Sequence, residues 1–93
     1  MIVGLLSVEL HIPEARSLKD KRMVLRSIKD RLQKFNVAVA ETEHQDLWQR
    51  AELGVVTVAA STVLVERTLN SVTDEIDRVA PGVMTRADVE FLT

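Results

Sequence analysis

The 93-residue chain predicts an α+β domain with strands and helices in the order β-α-β-β-α-β. Three features of the pattern carry that prediction. Two stretches of about 18 residues repeat their apolar positions at helical spacing. Four stretches alternate with the period of two that places successive side chains on opposite faces of a sheet. The two middle strands follow one another across a short polar turn, whereas each outer strand is separated from them by a helix.

The first strand is residues 2–12, where Gly4, Leu6, Val8, Leu10 and Ile12 share one face and Val3, Leu5, Ser7, Glu9 and His11 the other. Pro13, which lacks an N–H, ends it. Ser17 is a good helix N-cap. An amphipathic helix then runs from Leu18 to about Phe35, with Leu18, Leu25, Ile28, Leu32 and Phe35 as its apolar stripe and Asn36 as its stop. Val37 to Glu43 reads as the second strand, a polar stretch around His44 to Leu47 turns the chain, and about Trp48 to Ala60 is the third strand. Gly54 in that strand marks a bulge or a close backbone approach. Ser61 caps a second helix over Thr62 to Val79, with Val65, Leu69, Val72, Ile76 and Val79 inward and Asp74, Glu75 and Asp77 toward solvent. Pro81-Gly82 is a turn, and Val83 to Leu92 is the last strand.

This is the split β-α-β arrangement of the ferredoxin-like fold. Right-handed crossovers place both helices on one face of a four-stranded antiparallel sheet in the order 4-1-3-2. The length fits a single domain spanning residues 1–93. Its core is aliphatic, because the only aromatic residues are Phe35, Trp48 and Phe91.

Composition removes several chemistries. With no cysteine there is no disulfide, thiolate nucleophile or cysteine-ligated metal, and a small unstapled domain fits a reducing, cytoplasmic setting. No apolar run reaches the length of a membrane span, and MIVGLLSVELHI lacks the basic start of a signal peptide. Walker A, GxGxxG, HExxH and GxSxG patterns are absent. Glu41 and Glu43, two apart on a strand, would share a face, either as an acid/base pair or, as exposed carboxylates near a strand end more often are, as solvated groups. His11 and His44 near Glu43 lack metal-ligand spacing. We therefore expect a binding module with no catalytic residue, metal or cofactor.

The net charge of −2 hides an asymmetry. Residues 1–35 carry eight Lys/Arg against four Asp/Glu, and residues 36–93 four against ten. Lys19, Arg22, Arg26 and Lys29 line one helix face at i, i+3, i+7, i+10, either as a solvated surface or as a track for phosphates. The fold gathers polar groups at one end, bringing Lys19, Lys21 and Arg22 near Glu43, Asp46, Trp48, Gln49 and Arg50. Cations in the first helical turn oppose the helix dipole, which suits an anionic ligand there or pairing with Glu14, Asp20 or Asp46. Trp48 either stacks on a planar group or, as large aromatics usually do, covers the end of the core. The sheet face away from the helices is apolar on strands 1 to 3, which suits a homodimer.

SLKDKR at 17–22, FNVAVAE at 35–41 and DLWQRAELG at 46–54, together with a hydrophobic first strand ending in a proline-containing loop, resemble the YlxP-like family of small bacterial proteins. The match covers nearly the whole chain up to the third strand. The family positions matched are Ser17, Leu18, Lys19, Lys21, Arg22, Asn36, Glu41, Asp46, Trp48, Gln49 and Arg50. The resemblance implies a ferredoxin-like fold. It also implies a setting near translation and the ribosome, because family genes typically neighbour those of translation initiation and ribosome maturation, and no catalytic activity is established for the family. The expected partners are RNA or a ribosomal subunit, with a homodimer or an anionic-ligand sensor as the alternative. An acidic pI near 5.6 means that any RNA contact is local to the basic face.

Overall fold

A computed structural model describes residues 1–93. The elements are β1 (Ile2–His11), α1 (Leu18–Leu32), β2 (Ala38–Glu43), β3 (Arg50–Ala59), α2 (Thr62–Val79) and β4 (Met84–Phe91). One antiparallel sheet holds all four strands in the order β2-β3-β1-β4, which is the predicted ferredoxin-like topology.

Alternation along β1 decides the layering. Leu6, Val8, Leu10 and Ile12 are buried together with Ala51, Leu53 and Val55 of β3. Against this inner face pack Leu25, Ile28 and Leu32 of α1 and Val65, Leu69, Val72 and Ile76 of α2. Gly4 lies on the same inner face, and a Cβ there would come within 2.4 Å of Val65 Cγ1. Its missing side chain is what lets α2 sit directly on the start of β1.

Both helices begin where expected. Ser17 accepts a hydrogen bond from the Asp20 amide (3.1 Å), and the Asp20 carboxylate accepts one from the Arg16 amide (3.0 Å). This is a reciprocal cap of the kind that satisfies orphan N–H groups. Ser61 caps α2 through the Leu64 amide. The far end of α1 differs from expectation. The helix stops at Leu32 and Gln33 caps it, three residues before Phe35. Asn36 is not its stop. Asn36 instead ties the connection to β3, its carbonyl accepting from Thr57 Oγ1 (2.7 Å) and its amide donating to the Val58 carbonyl (3.4 Å).

Two strand irregularities matter for the site. The β2–β3 register shifts between Glu41 and Glu43, and the β1–β4 register between Glu9 and Leu10. Both bulges lie near the end of the sheet that carries the β2–β3 turn. Because Thr42 takes up the extra residue, Glu41 and Glu43 lie on opposite faces of the sheet, against the expectation that they share one. Gly54 is a close approach, since a Cβ there would meet the Thr42 methyl at 2.9 Å.

Glu75 also departs from the sequence reading, because it is buried with 2% of its surface accessible. It ties the two helices together, bonding Lys34 beyond α1 at 3.1 Å and Arg78 on its own helix. The hydrogen bond from Lys34 is the main influence holding the Glu75 carboxyl below its ordinary value of 4.5. Burial opposes the shift, and the charges of Lys34, Arg78 and Arg31 add to it. A depressed folded-state value contributes stability above the unfolded value that is lost as pH falls through the folded one. Acid unfolding followed by urea titration is therefore expected to show stability declining as pH drops below 4.5, with Glu75→Gln flattening that decline.

Candidate functional site

The turn between β2 and β3 is fixed from beneath by a lysine. Lys21 has 1% of its surface accessible, and its Nζ donates to the carbonyls of His44 (2.8 Å), Gln45 (3.3 Å) and Arg50 (3.3 Å). It also pairs with Glu41 Oε2 at 3.0 Å. The ammonium thus has four oxygens around it, which offsets the loss of its hydration. Lys21 stands at i, i+4, i+7 and i+11 with Leu25, Ile28 and Leu32, so it occupies the apolar stripe of α1. Among the residues expected at a binding surface, Lys21 is corrected to an internal clamp with no surface to offer a ligand.

Gln49 fixes the turn from the side. Its amide donates to the carbonyls of Pro13 (3.0 Å) and Ala15 (3.2 Å), and its own carbonyl accepts from the Ile12 amide (2.8 Å). The Leu47 amide closes the turn on the His44 carbonyl at 3.0 Å, with His44 in the left-handed region at φ 65°. The turn is consequently docked on both α1 and the β1–α1 loop.

This clamped turn holds Trp48 and Leu47 outward, with 53% and 45% of their surfaces accessible. Trp48 therefore does not cover the core. The β2–β3 turn is seated by polar clamps, and Ile12, Ala15 and Ala51 already close the interior at this end. His11, Asp46, Leu47, Trp48, Gln49 and Arg50 line an open hollow of about 460 Å³.

On the sheet face turned away from the helices, Glu9 lies 3.3 Å from His44 Nε2 and 3.8 Å from Arg50. Arg50 also contacts the His44 ring at 3.3 Å. Glu9, Glu52 and Glu43 stand in register across three strands. Such opposed like charges are unfavourable, and the His44–Arg50 pair beside Glu9 and the Thr42 hydroxyl on Glu52 Oε1 offset them. His44 thus engages Glu9, and Glu43 stays exposed. The apolar part of this face is confined to the other half, where Val3, Leu5, Val56 and Val58 lie opposite one another and Ala38 flanks them. The expectation of a wholly apolar outer face is narrowed accordingly.

Lys19, Arg22 and Arg26 are exposed and Lys29 half-buried, and none has an acidic partner within ion-pair distance. Glu14, Asp20 and Asp46 leave them free. Met23, Val24 and Ser27 face the groove toward the end of α2, while Lys29 and Gln33 line a hollow with Val37 and Val39 at the start of β2. The stripe therefore occupies the flank of α1 remote from α2, above the β2 edge. Its N-terminal end adjoins the clamped turn.

Sequence reasoning missed Glu9 as the partner of His44 and Arg50, and misread Lys21. The signal for Lys21 was present, as a lysine in the apolar register of a helix facing Glu41 at the inward parity of a strand. Lys21→Met is expected to lower stability by about 2–4 kcal/mol, the range for a broken buried pair less a discount for the partly exposed Glu41. Glu41→Gln, which leaves the three carbonyls bonded, should cost less in the same urea titration.

The comparisons with known proteins agree with this architecture. The model of the family described as Protein of unknown function (DUF503) matches residues 3–89. The Uncharacterized protein YlxP of Bacillus subtilis (strain 168) is 43% identical over 77 residues, covering 82% of this chain and 84% of that protein. Among solved structures, the de novo designed protein Foldit4 superposes with a TM-score of 0.56 at 12% identity, over 99% of this chain and 96% of that one. A C-terminal segment of the α subunit of aIF2 from Pyrococcus abyssi gives 0.54 at 18% identity, over 96% of this chain and 49% of that one. At such identities these two structures speak for the fold alone. With the family model spanning nearly the whole chain and a relative this similar over most of its length, the chain belongs to the DUF503 family, to which its YlxP-like motifs pointed.

Proposed function

We propose that this protein is an RNA-associated accessory module that binds through the outer flank of α1. The observation that carries the reading is the run of four cations, Lys19, Arg22, Arg26 and Lys29, without acidic partners. Solvated helix faces usually intersperse both signs, and five of the other eight cations, Lys21, Lys34, Arg50, Arg78 and Arg86, are paired internally. Ten residues of helix rise about 15 Å, so the stripe presents a linear array and not a point charge. Phosphate contacts of this kind position a nucleic acid without reading its sequence. The acidic remainder of the chain keeps the contact local to this flank.

Co-sedimentation with ribosomal subunits and titration of a labelled RNA across a salt series test this reading. Binding is expected to weaken linearly on logarithmic axes, and Lys19→Ala/Arg22→Ala to reduce the slope by about 1.4 if both residues contact single-stranded phosphates. Lys19→Glu/Arg22→Glu should abolish binding. Absence of binding by the unaltered protein at low salt would overturn the reading.

A second reading rests on a different surface. Val58 has 42% of its surface accessible and stands opposite Val3, next to the Leu5–Val56 pair. This apolar half of the open sheet face suits self-association into a two-fold dimer. Sedimentation equilibrium at tens of micromolar should show a dimer that Val58→Asp dissociates, and a monomer would remove this reading.

A further inference from the structure

We infer that Trp48 is a stacking platform for an unpaired base, so that the RNA taken by this protein is single-stranded where it passes the β2–β3 turn. The inference rests on the proposed RNA contact of α1 and adds to it a substrate class and a second contact point.

Three observations carry it. Trp48 is exposed on a turn whose backbone Lys21, Gln49 and the Leu47 amide tie down on both sides of it. An indole fixed in that position is presented before any ligand arrives, which lowers the ordering cost of contact. The hollow around it, about 460 Å³, is lined by groups that can pair with a base edge. Asp46 repels a phosphate but accepts hydrogen bonds from the amino groups of bases, while His11 and Arg50 supply planar donors. Finally, the phosphate track begins at the end of the molecule that carries the platform. Gln49 fastens the turn to the loop that leads into α1, and Lys19 and Arg22 stand in the first turns of that helix. A backbone following the cations toward the helix N-terminus runs toward the turn that carries Trp48.

A duplex cannot use this arrangement, because its bases are stacked inward, whereas unstacked bases of single strands and loops lie readily on aromatic side chains. The distinction separates this inference from phosphate contact alone, which a duplex also satisfies.

Trp48 is the only tryptophan in a chain without tyrosine, so its emission reports on this one position. The experiment titrates the intact protein with a single-stranded RNA of mixed sequence and with a duplex of equal length, following tryptophan emission and the anisotropy of an end-labelled RNA. Single strands are expected to quench Trp48 and to bind more tightly than the duplex. Trp48→Ala is expected to weaken single-strand binding about 5- to 100-fold without changing the salt slope, and Trp48→Phe to restore most of it. Far-UV circular dichroism and the urea midpoint of Trp48→Ala control for folding, and both should match the unaltered protein because the ring is not part of the core. Salt-dependent RNA binding with unmoved Trp48 emission and full affinity in Trp48→Ala would overturn the stacking inference and leave the α1 contact standing. Equal quenching by duplex and single strand would overturn the single-strand preference. No binding by the unaltered protein would overturn the parent reading and this one together.

Discussion

The buried ammonium of Lys21 is the interaction on which the rest of the candidate site depends. It draws together three elements that would otherwise meet only through loops: the N-terminal part of α1, the inward carboxylate of β2, and the backbone of the β2–β3 turn. Turn carbonyls aimed inward need donors, and one lysine supplies three of them while Glu41 balances its charge. The arrangement explains how a turn carrying two large exposed apolar residues keeps a defined shape. It also explains why the SLKDKR, VAVAE and DLWQR segments occur together in this chain, since Lys21, Glu41 and Gln49 from these three segments are parts of one assembly.

That assembly divides the polar residues of this end into two kinds. Lys21, Glu41 and Gln49 spend their hydrogen bonds inside the molecule. Lys19, Arg22, Arg26, Asp46 and Trp48 are left outside, held in place by the first group. A similar division runs through the open sheet face, where Glu9, His44 and Arg50 cluster and the uncharged half formed by Val3, Leu5, Val56 and Val58 lies outside the core.

Much of the fold was legible in the sequence because its periodicities are clean. The capping serines at 17 and 61 and the apolar stripe of α2 each allow one reading only, and the polar residues Ser7, Glu9 and His11 mark the outer face of β1. Element ends were less legible. Phe35 continues the apolar spacing of α1 but packs against the core from beyond the helix, so periodicity alone overshot. At the site, the convergence of the α1 start with the β2–β3 turn followed from topology. The roles within it did not, because charge is read from sequence as exposure. Lys21 and Glu75 are charged and buried. Trp48 is aromatic and exposed. In each case a tertiary partner, or the lack of one, overrides the habit of the residue type. Glu41 and Glu43 were separated by a bulge, which strand parity cannot foresee.

The two register shifts have a consequence for how the sheet can grow. β2 and β4 are its edges, and both are interrupted toward the same end. An incoming strand needs an unbroken ladder of several residues, and a bulge bends the edge away from it. On β4 the remaining ladder carries Arg86, Asp88 and Glu90, which burden any neutral newcomer with desolvation. On β2 only the short uncharged run Ala38 to Ala40 precedes the interruption. The molecule can therefore expose two backbone edges in solution without templating a longer ribbon, and its unpartnered surfaces remain free for side-chain contacts.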